Sequence, residues 1–185
     1  IRSIPDYPKK GILFRDITTL IKDEKAFTET IDQIVERSKK FKVDKIAAIE
    51  SRGFVFASAV SYVLKKPFIM LRKKNKLPAD VHSVDFELEY GTATIEVHKD
   101  SFDEGDKVLI IDDLIATGGT AEAAAKLIEI SKSKVAGFIF VINLFDLGGC
   151  DLDSDVLWIV LLSGFYFFIA YVFVCLTFSS TAPPR

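Results

Sequence analysis

Cysteine is nearly missing from this 185-residue chain: Cys150 and Cys175 are the only two, and their spacing matches neither a metal-ligand set nor a disulfide framework. That excludes a small zinc module or a disulfide-stapled secreted domain, and it points to a reducing compartment. Excess charge is missing too. Lysine and arginine number 24 against 26 acids, a formal net charge of −2, which gives no general attraction to nucleic acid. There is no internal repeat and no signal-peptide pattern, and the chain opens on Ile1 rather than an initiator methionine, which reads as a truncated N-terminus. His82 and His98 have no partner pattern and read as surface residues. What is present is enough chain for one domain with a proper core.

The most informative stretch is Val108 to Thr120, Val-Leu-Ile-Ile-Asp-Asp-Leu-Ile-Ala-Thr-Gly-Gly-Thr. Val108 to Ile111 is an uninterrupted aliphatic run suited to a strand buried on both faces of a parallel sheet, expected to stop where the acids begin. Ala121 to Ile130 reads as a helix with Ala124, Leu127 and Ile128 on one side. Asp112, Asp113 and Ala116-Thr117-Gly118-Gly119-Thr120 are therefore expected in a strand-to-helix loop, where open α/β sheets bind ligands. Two glycines let the backbone approach an anion, and threonine hydroxyls, free amides and the helix dipole supply donors to it. Ionised Asp112 and Asp113 offer only acceptors, which suit vicinal sugar hydroxyls. A sugar phosphate fits both halves. No Walker lysine follows the glycines and no Gly-x-Gly-x-x-Gly occurs; taken alone, Thr-Gly-Gly-Thr would be a plain turn.

The same plan repeats upstream. Lys45 to Ile49 reads as a strand, Glu50-Ser51-Arg52-Gly53 as a polar loop, and Phe54 to Leu64 as a helix. Arg52 is either a surface arginine or a guanidinium fork for diphosphate oxygens, and a second such loop on one sheet edge favours the latter. Phe68 to Leu71 is a third apolar run leading into Arg72-Lys73-Lys74-Asn75-Lys76, either a solvated face or, because it follows a strand on that edge, a place where Lys73 meets diphosphate. Residues 77 to 84 read as a flexible lid. Phe86 to Tyr90 and Ala93 to His98 alternate at period two across Gly91, a two-stranded ribbon that is either simply exposed or an arm excluding water from the reaction. Val135 to Leu144 is a further core strand. Near the start, Ile1 to Gly11 is expected to be irregular, Ile12 to Ile17 a small strand with Arg15 and Asp16 solvated, and Asp23 the N-cap of a helix burying Phe27, Ile31, Ile34 and Val35. The fold class is α/β, a mainly parallel twisted sheet flanked by helices.

Val108 to Thr120 resembles the signature of the type I phosphoribosyltransferases, which use phosphoribosyl diphosphate. Pro8 to Asp16, Glu50-Ser51-Arg52-Gly53-Phe54, Leu71 to Pro78 and Leu88-Glu89-Tyr90-Gly91 extend the likeness to the adenine-specific branch of that family, over residues 1 to 151. The resemblance implies transfer of ribose 5-phosphate to adenine, with Mg2+ carried on the donor diphosphate and no direct protein ligand to the metal. It implies a hood over residues 5–20, where Phe14 stacks on the base and Leu13 and Arg15 read its edge, and a lid over about 77–98. It assigns Arg52 and Lys73 to diphosphate, Ala116, Thr117, Gly118, Gly119 and Thr120 to the 5-phosphate, and Asp112 and Asp113 to the ribose hydroxyls. Glu89 and Tyr90 fall on the closing loop, with Glu89 exchanging a proton with the purine, so that Glu89, Arg52, Asp112 and Asp113 form the catalytic set. A homodimer in the cytoplasm is the implied state, without nucleic-acid partners. A regulator that keeps the donor site but transfers nothing, or an inactive paralogue, is the rival.

The likeness ends at about Asp151. Val156 to Phe178 carries no charge, and Arg185 is the only charge after Asp155, so residues 152–185 form an atypical apolar tail. Two readings stay open: a membrane-spanning helix over 156–178, with acids Asp151, Asp153 and Asp155 rather than a basic flank before it, or a non-homologous end from a splicing or reading-frame difference.

Overall fold

Alternation of small and branched apolar residues on two faces is what builds the centre of the molecule. The computed structural model describes residues 1–88, 91–144 and 158–163. Strands β1 (Arg2–Pro5) and β2 (Leu13–Asp16) precede helices α1 (Thr18–Ile21) and α2 (Glu24–Ser38). Then come β3 (Lys45–Ile49), α3 (Gly53–Leu64), β4 (Phe68–Lys73), β5 (Val81–Leu88), β6 (Gly91–His98), β7 (Lys107–Ile115), α4 (Gly119–Ile130), β8 (Lys134–Asn143) and β9 (Trp158–Ser163). The main sheet has the order β5-β6-β4-β3-β7-β8-β9. Strands β4, β3, β7, β8 and β9 are parallel, and the β5–β6 ribbon joins antiparallel at the β4 edge.

In β3, Ala47 and Ile49 face a core shared with α4, while Ile46 and Ala48 face one shared with α2 and α3. Helices on both faces are what an uninterrupted apolar strand requires. The expected cap is present: Asp23 accepts from the Ala26 amide at 2.9 Å, satisfying one of the donors left free at the start of α2.

Four expectations change. Residues 1–11 are not wholly irregular, because Arg2–Pro5 pairs antiparallel with β2, setting Arg2 opposite Asp16. Asp16 is buried rather than solvated; it accepts from Arg2 and from the Thr18 amide, and hydrogen bonds from Thr18 and Arg2 lower its pKa to about 2. Second, β7 does not stop at the acids but continues through Asp112 and Asp113 to Ile115, pairing with β8 along that length. Third, the lid ribbon is continuous with the sheet, and its first strand begins at Val81. Finally, the sheet runs past residue 151. Trp158–Ser163, inside the apolar run, is a strand paired with β8, not part of a helix; the other residues of 156–178 lie outside the described ones. Among the described residues no helix is long and apolar enough to cross a membrane.

Candidate active site

Parallel strands end at one edge of the sheet, and three of those ends meet around a cavity of about 420 Å³. Glu50, Ser51 and Arg52 follow β3; Asp112 to Ile115 close β7; Ala116, Thr117, Gly118 and Thr120 lead into α4; Phe140 comes from β8. The two anticipated loops thus share one crevice. Gly118 has φ 87°, a left-handed turn that favours glycine, and α4 starts without a side-chain cap. Its first amides therefore keep their donors for an anion.

Asp113 is only 3% exposed, and Arg52 Nε stands 2.8 Å from its Oδ2. That oxygen, though buried, receives no well-directed hydrogen bond. Asp112 is half-buried, and its Oδ1 accepts from the Asp113 amide at 2.8 Å. Burial raises the pKa of both carboxyls: for Asp112 the neighbouring Asp113 charge adds to it, while for Asp113 the Arg52 guanidinium opposes it. Two acids this close do not both ionise freely, so the pair retains a proton to higher pH than isolated aspartates.

Gly53 explains how the acids fit. A Cβ there would lie 2.6 Å from Asp112 Oδ1 and 3.0 Å from the Ile111 carbonyl, so α3 can sit this close to β7 only with glycine at its first position. The Glu50–Ser51 peptide bond in the same loop is cis.

Phe14 is brought to the site by β2. Its ring centroid lies 5.7 Å from Arg52 Cζ, and Tyr7 packs edge-on against it at 5.2 Å. Arg52 is thus shared between the hood and the acids. Leu13 is exposed, and Arg15 donates to Ser3 Oγ; neither lines the cavity. Gly119 packs beneath the ribbon instead, since a Cβ there would be 3.1 Å from the Glu87 carbonyl. Lys73 ends β4 on the same edge, with its side chain exposed and outside the cavity wall. Glu89 and Tyr90 lie outside the described residues.

Sequence reasoning missed Glu50 and Gly53. Glu50 lines the cavity and accepts from Arg72 Nε at 3.2 Å and the Lys73 amide at 3.0 Å; hydrogen bonding to Arg72 lowers its pKa although burial opposes this. An acid immediately before Ser51-Arg52, with a run of cations after the next strand, was the available signal.

Residues 17–165 match the family model of the phosphoribosyl transferase domain. Adenine phosphoribosyltransferase of Pelagibacter ubique is 83% identical over 151 residues, covering 82% of this chain and 86% of the relative. The same enzyme of Nitrosomonas europaea is 53% identical, covering 80% and 86% respectively. Among solved structures, adenine phosphoribosyltransferase of Thermoanaerobacter pseudethanolicus superposes with TM-score 0.86 at 47% identity, covering 89% of this chain and 95% of that one. The Saccharomyces cerevisiae enzyme, solved with adenine and an imino-altritol bisphosphate, gives TM-score 0.81 at 33% identity, covering 87% and 93%. With the acid pair, the glycine-bearing cradle and the arginine loop gathered at one sheet edge, the chain belongs to the phosphoribosyltransferase family, in its adenine phosphoribosyltransferase branch.

Proposed function

We propose that the protein transfers the 5-phosphoribosyl group of phosphoribosyl diphosphate to adenine, releasing diphosphate and forming AMP in purine salvage. One observation carries this reading. Carboxylates suited to vicinal hydroxyls and an uncapped helix start suited to a phosphate line a single cavity, so one sugar phosphate can engage both.

The chain's own groups divide the work. Asp112 and Asp113 accept from the ribose hydroxyls and offset positive charge as the ring loses its leaving group. For this, Arg52 leaves Asp113, and its fork turns to the diphosphate. The bond from the sugar carbon to diphosphate breaks, the bond to the purine nitrogen forms, and Glu89 accepts the proton released from the base. Phe14 stacks on adenine once Arg52 has moved. Mg2+ belongs to this reading as an ion arriving on the donor diphosphate, where it offsets leaving-group charge. The acids of the cavity suit sugar hydroxyls, one of them already facing a guanidinium, and this donor set fits a metal delivered by the substrate better than one held by the protein.

Adenine, donor and Mg2+ incubated with the purified chain should give AMP and diphosphate by ion-exchange chromatography, with hypoxanthine and guanine far slower. Folded protein that makes no AMP would sink the reading. Glu89→Gln should reduce kcat about a hundredfold; unchanged turnover would remove Glu89 from its role.

A homodimer also belongs to this reading, supported by the large apolar side chains Tyr62, Val63 and Met70 left exposed on α3 and β4. Sedimentation velocity would show a single species of twice the chain mass. The cytoplasm is the proposed location, supported by small soluble substrates and the scarcity of cysteine; sedimentation of the chain with membranes would instead favour attachment through 156–178.

A further inference from the structure

The cationic turn after β4 is gripped from two sides by carboxylates, one of them on a strand that lies outside the cavity wall. We propose that Glu96 of β6 is a positioning residue that sets this turn for the donor diphosphate. The inference rests on the function proposed above.

Glu96 pairs across β4–β6 with Arg72 and is only 5% exposed. Its Oε2 accepts from the Asn75 amide at 2.9 Å, and its Oε1 receives a longer contact from Ser83 Oγ at 3.4 Å. Asn75 has φ 64°, so this hydrogen bond holds the bend at its left-handed residue. Glu50 holds the same segment from the other side, through Arg72 Nε and the Lys73 amide. Two carboxylates therefore fix the backbone from 72 to 75.

A buried carboxylate is an expensive way to complete a strand. Thr94 and His98 show that neighbouring positions on that alternation are filled by residues with no fixed charge, and Ile95 and Val97 beside Glu96 are buried apolar residues. What only an acid supplies is a counter-field for Arg72, Lys73, Lys74 and Lys76, which otherwise repel one another. Among the described residues, Lys73 and Lys74 have no acidic partner in an ion pair, so fixing the turn leaves their ammoniums for a polyanion while Arg72 is engaged by Glu50.

The test compares E96A, E96D and E96Q with the parent chain, reading the KM for each substrate, kcat and the melting temperature. E96A should raise the KM for phosphoribosyl diphosphate about tenfold, the scale of a lost charge-assisted hydrogen bond, with the KM for adenine within about twofold. E96D, which withdraws the acceptor by one methylene, should move the same constant less. E96Q, whose amide oxygen still accepts from Asn75 but which carries no charge, should recover only part of the loss, the remainder being the counter-field. Equal rises in both KM values, a fall in kcat with both KM values unchanged, or E96Q as impaired as E96A would each overturn the assignment. If E96A does not fold, E96D against E96Q makes the same comparison. Titration calorimetry of the Mg2+–donor complex reads the turn without turnover: a parent chain that binds donor but makes no AMP fails the proposed function, whereas equal affinity of parent and E96A fails this inference.

Discussion

Opposite edges of the sheet each carry a cation among acids, and they are built to different ends. At the far edge, Lys45 Nζ lies 2.8 Å from both Asp103 and Asp106 and 3.1 Å from the Ser101 carbonyl, so its donors are all matched. At the cavity edge, Arg52 is 44% exposed, and the carboxylate it faces keeps a buried oxygen without a directed hydrogen bond. Matched charges hold a fold; an under-matched buried acid beside a half-exposed guanidinium is an arrangement that a ligand completes.

Four measurements would break or sharpen that contrast. Asp113→Asn should have the largest effect, cutting kcat/KM for phosphoribosyl diphosphate about a hundredfold while leaving adenine binding nearly intact. Equal loss for both substrates would remove the ribose assignment. Lys45→Met should do the opposite, lowering stability to urea by about 2 kcal/mol, because Asp106 is left half-buried and unpaired, with kcat/KM unchanged. If activity falls as far as stability, the far edge is not purely structural. Gly53→Ala should reduce donor kcat/KM about tenfold and lower stability by about 1–3 kcal/mol, since its new Cβ meets both the Asp112 carboxyl and the Ile111 carbonyl; unchanged kinetics would mean that Asp112 can move without consequence.

The smallest effect is in pH dependence, and its sign separates the edges. Burial raises Asp112 above the ordinary aspartate value of 3.8, so the folded state binds a proton that the unfolded chain releases. Stability associated with that proton is present at low pH and lost as pH rises through the folded pKa. Asp106 moves the other way: burial alone would raise its pKa, but Lys45 and the Asp103 amide together lower it, so its contribution is present above 3.8 and lost on acidification. Asp112→Asn should therefore gain stability relative to the parent as pH rises from about 4 toward neutrality. Urea titrations across that range check it, and a constant difference would contradict the raised pKa.

Much of this was legible beforehand because the strands at the centre are locally unambiguous. Lys45–Ile49 and the cradle before α4 needed no knowledge of distant residues. The end of β7 was misjudged for a physical reason: charge normally ends a buried strand, and only the approach of Arg52 and Gly53 from another loop makes Asp112 and Asp113 tolerable inside one. Strand β1 escaped for a similar reason, since its pairing depends on Arg2 reaching Asp16 across a turn containing Pro8 and Gly11. Glu96 was hidden by its alternation with Thr94 and His98, which looks like a solvent face until the turn at Asn75 and Ser83 of β5 meet its carboxylate. Local pattern fixes elements, and compensation between elements fixes which charges can be buried.

Gly119 carries one more lesson. The ribbon's Glu87 carbonyl would stand 3.1 Å from the first side-chain atom of residue 119, closer than an ordinary contact, over the start of α4. Any methyl group added there acts as a wedge between roof and floor, even though the backbone itself would accept it. Mutational tolerance at this position is therefore governed by main-chain atoms more than thirty residues away in the chain, and no change of side chain at position 87 removes the carbonyl that sets the limit.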